Sequence, residues 1–333
     1  MISISYVWNE AEFPAGYLRQ QCLEYLKLGL RGVTVVAASG DWGVADQRSR
    51  CIDPSTGNPV FPGNSNHTTK YHFSTGFPAS CPWVTAVGGT SFVESSKNPQ
   101  PSVKSPSNSS SPFQFKFPPQ RAYRVESGSG SGSGSGGNES ADDPQRRHLS
   151  TSGGGFSRVF PRPEYQSEAV AGYLSSLLSN SNSSSNSTTT SSMSKTNPFN
   201  PAGRGYPDVA LLAQNYLVVY DSALYTIDGT SAAAPVFAAM IARINSERVG
   251  SISASGGGGE RRRKKTVGFL NPVLYSSLGR EIFEDVKIGG NEGCGFLEED
   301  GGAFAAREGW DAVTGLGAVR DFERLRGVLV GLP

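Results

Sequence analysis

The sequence predicts an α/β domain with a central parallel sheet and helices on both faces. Three observations carry this. The first forty residues read strand, helix, strand. A glycine-flanked serine follows strand-like sequence and opens a long Ala-rich helix. The length, 333 residues, suffices for one large domain or two ordinary ones. Ile2-Ser3-Ile4-Ser5-Tyr6-Val7 reads as a buried strand. Ala15 to Leu30 sets Leu18, Cys22, Leu26 and Leu30 on one helical face. Gly32 ends that helix, and Val33 to Ala38 is a β-branched run. Two strands joined by one helix are parallel, with a right-handed crossover. Ser39-Gly40-Asp41 then lies at the carboxyl end of the second strand, the edge where open parallel sheets gather functional groups. A third strand is expected at Trp83 to Gly89, and a helix around Tyr165, Ala169, Val170 and Tyr173. Strand-like Tyr216 to Tyr220 and Tyr225 to Ile227 lead into a helix running from Asp228-Gly229-Thr230-Ser231 to about Asn245.

Composition removes several classes. Lys+Arg number 30 and Asp+Glu 29, a net charge of +1, so no global basic field exists for nucleic acid. No run of 18 apolar residues predicts a membrane helix. Four cysteines are too few for a disulfide-built miniprotein. Met1 leads straight into the first strand without the basic, apolar and cleavage regions of a signal peptide. The 333 residues read as one partial domain carrying three low-complexity insertions, at about 96–151, 175–195 and 251–265. Their Ser, Gly, Pro and Asn cannot bury enough apolar surface to order themselves. The third ends in Arg261-Arg262-Arg263-Lys264-Lys265, expected to be a solvated loop.

The strongest local signal is Gly229-Thr230-Ser231-Ala232-Ala233-Ala234-Pro235. Strand, glycine turn, serine and apolar helix place Ser231 among the free N–H groups of a helix start, where developing negative charge is favoured. The plain alternative is an N-cap serine. Pro235 is expected in the first turn, where its missing N–H costs little. A serine nucleophile needs a base. The histidines, His67, His72 and His148, all lie in sequence that reads as surface, so a Ser-His-Asp triad has poor support.

With these segments in place, the chain resembles the sedolisin (serine-carboxyl peptidase) family, in particular its fungal tripeptidyl-peptidase-like members. The resemblance rests on Ser3 to Tyr6, Ser39 to Gly43, Phe77 to Ala79, Val87 to Thr90, Ser152 to Ser157, Arg204 to Val209, Gly229 to Pro235, Gly268 to Pro272 and Gly309 to Asp311, in that order. It implies a subtilisin-like fold and acid peptide hydrolysis, by endopeptidase or tripeptidyl-peptidase action. Ser231 matches the acylating nucleophile and Asp41 the acidic residue of the oxyanion hole. An acid kept protonated can donate a hydrogen bond to the oxyanion, which favours low pH. Ser152 to Ser157 is expected near the substrate cleft. One Ca²⁺ site is implied, with side-chain oxygens from Asp285 and Asp311 and carbonyls from Val286, Gly309 and, as a further candidate, Arg307. Such an all-oxygen set suits a hard cation.

The resemblance suggests a Cys51–Cys294 bridge, with Cys51–Cys81 the competing pairing, and Cys22 reads as a buried thiol. Sequons at Asn66, Asn108, Asn138, Asn182 and Asn186 fit a secreted glycoprotein. Partners implied are peptide or protein substrates, without nucleic acid or membrane, for a monomer. Sedolisins use a glutamate base oriented by an aspartate, upstream of the strand where this chain begins. The substitute spacings Glu281…Asp285 and Glu139…Asp143 are poor candidates. The chain is therefore expected to be the C-terminal part of a catalytic domain, and inactive by itself. The alternatives are a secreted calcium-bound pseudo-peptidase that binds peptides, and a divergent subtilisin-type protease using a histidine.

Overall fold

The strand–helix–strand expectation for the first forty residues is met by β1 (Ile2–Ile4), α1 (Ala15–Leu30) and β2 (Val35–Ala38). The computed structural model describes residues 1–62, 71–93, 119–126, 149–181, 198–250, 264–296, 302–319 and 321–333. Along the chain follow β3 (Thr85–Phe92), β4 (Gln120–Ala122), β5 (Gly155–Pro161), α2 (Ser167–Ser181), β6 (Gly203–Tyr206) and β7 (Val209–Leu212). A hairpin of β8 (Tyr216–Tyr220) and β9 (Ala223–Ile227) precedes α3 (Thr230–Gly250). The chain closes with β10 (Phe283–Glu284), β11 (Ala318–Val319) and α4 (Phe322–Gly331).

The main sheet runs β1-β2-β3-β7-β11-β10, with β4 paired to β3. Its first five strands are mutually parallel; β10 and β4 pair antiparallel. Alternation along β2 shows the layering. Val35 and Ala37 pack with Leu18 and Cys22 of α1, while Val36 and Ala38 join Phe237, Ile241 and Ile244 of α3. Helices therefore cover both faces, as a parallel sheet requires.

Several expectations change. The first strand stops at Ile4; Trp8–Asn9 turns away to pair antiparallel with Gly76–Phe77. The third strand begins at Thr85 and runs on to Phe92. Central strand β7 begins only at Val209, the last residue of the Arg204 to Val209 segment, where the sequence offers too short an apolar run between Pro207 and the hairpin to announce a strand. The stretch 96–151 contains structure: β4 joins the sheet, and Arg124–Glu126 pairs with Leu149–Thr151. Helix α2 extends into the second polar stretch. His67, His148, the five sequon asparagines, Glu139, Asp143 and Arg261 to Arg263 lie outside the described residues. Lys264 is docked rather than simply solvated, its Nζ donating to the carbonyls of Val330 and Leu332 at the end of α4 (2.7 and 3.0 Å).

Cys51–Cys294 is bridged, and so is Cys22–Cys81. Cys22 is buried on the expected helix face, but it is a cystine half rather than a free thiol. The signal for this pairing was absent from the local sequence because the partner lies 59 residues on.

Candidate active site

Asp41 follows the carboxyl end of β2, and α3 begins beside it. Its Oδ1 accepts from Thr230 N (2.6 Å) and Thr230 Oγ1 (2.9 Å), while Gly40 N donates to Thr230 Oγ1 (3.1 Å). The helix start thus offers a free N–H to a carboxyl group, as helix N-termini do. Gly229 makes the approach feasible. Its φ is +118°, and a Cβ there would stand 2.8 Å from Asp41 Oδ2. Burial pushes the Asp41 carboxyl pKa up; the two Thr230 hydrogen bonds pull it down, and the charge of Asp228 adds to the rise. The net direction is upward, toward the protonated acid that an oxyanion donor needs.

Ser231 is the second residue of α3 and is exposed. Pro235 is the sixth residue of the helix, not part of its first turn. Its missing N–H would have bonded the Ser231 carbonyl, four residues back. Ser5, just past β1, takes that place: Ser5 Oγ donates to Ser231 O at 2.8 Å. In return Ser231 Oγ donates to the Ser5 carbonyl at 3.3 Å. Ser5 lay inside a segment singled out by sequence, but its partner is 226 residues away and no local pattern names it.

Ser152 to Ser157 also comes to the site. Gly153 N donates to Gly40 O (2.7 Å) and Thr151 N to Asp41 O (3.0 Å). Ser152 Oγ accepts from Gly89 N on β3 (3.0 Å) and donates to Val313 O (2.7 Å). The sequence-marked segments around Ser5, Asp41, Val87, Gly153 and Ser231 therefore converge past the carboxyl ends of β1 and β2, beside the middle of β3. His72 is not among them; it pairs with Ile52. Glu281 makes no hydrogen bond to Ser231 among the described residues.

The calcium candidates form a second cluster. Gly309 N donates to Asp285 Oδ2 at 3.0 Å, with Gly309 at φ +83°. Asp311 is fully buried and accepts from the N–H groups of Arg307, Val313 and Thr314 (3.0, 2.9 and 2.7 Å) and from Thr314 Oγ1. Burial pushes its carboxyl up to about 7 against those hydrogen bonds. Asp285 Oδ1 is buried without a hydrogen-bond partner, and Lys287 Nζ stands 3.5 Å from Oδ2. An orphaned carboxylate oxygen and a charge-starved buried aspartate fit a cation held by both. Among the described residues no third acid, histidine or cysteine joins them, so the other ligands would have to be carbonyls or water.

No family model matches the chain. It is 36% identical over 337 residues to tripeptidyl-peptidase sed1 of Aspergillus fumigatus, covering 100% of this chain and 41% of that protein. It is 37% identical over 334 residues to tripeptidyl-peptidase SED1 of Arthroderma otae (100% and 40%). It is 33% identical over 316 residues to human tripeptidyl-peptidase 1 (95% and 40%). Its fold is similar to that of Pseudomonas sedolisin complexed with two molecules of pseudo-iodotyrostatin, with a TM-score of 0.58 at 23% identity, over 97% of this chain and 63% of that one. Over its whole length the chain is thus similar to tripeptidyl-peptidases and shares the sedolisin fold, and it spans about two fifths of the length of the curated tripeptidyl-peptidases it matches.

Proposed function

We propose that this chain supplies the nucleophile and the oxyanion-side acid of a serine-type peptidase that works at acidic pH, in a secreted, calcium-stabilised monomer acting on peptides by tripeptidyl-peptidase or endopeptidase cleavage. The observation that carries the proposal is the seating of Asp41 against the first turn of the Ser231 helix. Ser231 Oγ attacks the carbonyl carbon of the scissile bond. The tetrahedral oxyanion accepts a hydrogen bond from protonated Asp41. The C–N bond breaks, the amine leaves with a proton, and water releases the acyl group from Ser231. Ca²⁺, held by Asp285 and Asp311 with carbonyls such as those of Val286 and Gly309, would neutralise buried charge and fix the two loops.

The attack needs a base for the Ser231 proton. Among the described residues that hydroxyl donates only to the Ser5 carbonyl, which cannot take the proton. We assign the base to a glutamate and its aspartate outside these 333 residues. The same contact favours a second function for the chain alone, peptide binding without cleavage. The deciding experiment is peptide hydrolysis at about pH 4 with calcium, by the protein that carries this chain, beside its Ser231→Ala variant. A loss of roughly a thousandfold or more supports the proposal; an unchanged rate overturns it. For the 333 residues alone the expectation is equal inertness of parent and variant. Cleavage that depends on Ser231 would place the base inside the chain.

A further inference from the structure

Away from the Ser231 site, a cavity of about 180 Å³ opens between the segment after β1 and the middle of β5. Its walls are mixed. Phe13, Ile52 and Val159 are apolar, Asn9 and Thr75 polar, and Arg158 brings a guanidinium. Glu10 also lines it, but both Glu10 oxygens are engaged. Oε1 accepts from Ser157 Oγ (2.6 Å); Oε2 accepts from Thr75 Oγ1 (2.6 Å) and Arg158 N (3.1 Å). No hydrogen bond or ion pair reaches the Arg158 guanidinium from the described residues, and the residue is exposed, so the guanidinium is free to meet a ligand. Its pKa is lowered by burial, with the Glu10 charge only partly compensating.

A second polar group waits on the same side. His72 and Ile52 are a directly opposed antiparallel pair that exchange both backbone bonds at 2.8 Å. Their side chains therefore share a face of the ribbon, the one from which Ile52 lines the cavity. His72 Nδ1 is buried without a partner, and burial followed by the Arg158 charge depresses the imidazole pKa. An exposed cation in the cavity wall and an unpartnered ring nitrogen close enough to feel its charge thus lie on one side of a small, partly apolar hole. Buried polar groups are ordinarily satisfied, and an exception asks for a missing partner.

We propose that this cavity binds a small carboxylate with an apolar tail, the carboxylate on Arg158 beside His72 and the tail against Phe13, Ile52 and Val159. The chemistry is that of a peptide C-terminus ending in an aliphatic residue, or of a free short branched acid. The fixed negative charge of Glu10 keeps the affinity modest, with a Kd on the order of 1 mM. The site does not depend on Ser231.

The test is a titration of the ¹⁵N-labelled 333-residue chain, followed by amide shifts of Ile52, Thr75 and Val159. The probes are N-acetyl-leucine, isovalerate and N-acetyl-leucine amide. At least one carboxylate saturates these shifts and the amide does not. Arg158→Gln weakens binding tenfold or more while amide dispersion stays native, Arg158→Lys recovers part of it, and Ser231→Ala binds like the parent. Binding by both acids identifies a free short acid as sufficient; binding by acetyl-leucine alone identifies a peptide C-terminus. Equal binding of acid and amide, an unchanged affinity in Arg158→Gln, or inorganic sulfate binding as well as both acids would overturn the proposal.

Discussion

At the scale of single residues, Ser5 and Asp41 make the sharpest predictions. Pro235 strips the Ser231 carbonyl of its helical donor, and Ser5 Oγ fills the gap. Ser5→Ala leaves that carbonyl to water, so we expect a loss of about 1 kcal/mol in denaturant unfolding, with Ser5→Thr close to the parent. Equal stabilities of Ser5→Ala and the parent would refute this. Asp41 has a raised pKa, so the folded state holds its proton more tightly than the unfolded chain. Its contribution is present below the ordinary carboxylate value, about 3.9, and is lost as pH rises through the folded value. Asp41→Asn cannot ionise. Its Tm should therefore gain on the parent as pH climbs from about 4, and a constant difference would count against the shift. Ser231 and Asp41 were legible from the sequence because each sits at a grammatical junction, strand end or helix start. Ser5, Thr230 and Gly229 acquire their tasks only from contacts across the fold.

Among the elements, β6 and the turn that follows it hold a fully buried ion pair. Arg204 and Asp208 form a fully buried pair at 2.6 Å, and Asp208 Oδ1 also accepts from Tyr275 Oη (2.9 Å). Arg204 Nη1 additionally donates to the Gly205 carbonyl. Removing one member strands the other without solvent. Asp208→Ala is expected to cost about 3–5 kcal/mol by urea titration; a loss below about 1 kcal/mol would mean the interior rehydrates readily. The segment Arg204 to Val209 was recognisable as a motif, yet its structural role was not. The motif enters a central strand only four residues long, and strand length is what periodicity needs. The same limit hid β11, two residues long, whereas α1 with its sixteen was read to its ends. The strands of the β8–β9 hairpin were legible as the strand-like runs Tyr216 to Tyr220 and Tyr225 to Ile227, though not their pairing.

For the molecule as a whole, two cystines and two acidic loops tie distant parts of one sheet-centred body. Cys51–Cys294 spans 243 residues and links the loop after Asp41 to the region of the cation candidates. If Ca²⁺ occupies Asp285 and Asp311, a chelator should lower Tm at neutral pH. Restoring the ion at a hundred times its Kd should return about 2.7 kcal/mol. In Asp285→Asn the response should shrink; a Tm indifferent to both ion and chelator would remove calcium from the account. The overall architecture followed from one βαβ unit because handedness and layering leave few alternatives. Cystine partners and loop closures did not, since nothing local encodes a neighbour hundreds of residues away. The sheet's outer strand has one further consequence. β1 is three residues long and, among the described residues, bonded on one side only, yet the Ser5 clasp on Ser231 hangs from its end. Opening should therefore be graded across the sheet, with amide deuterium uptake quickest at Ile2 to Ile4 and slowest in β3. Fraying at that rim would release Ser231 from its tether without unfolding the body, making the Ser231 hydroxyl the first side-chain group at the candidate site to feel the motion.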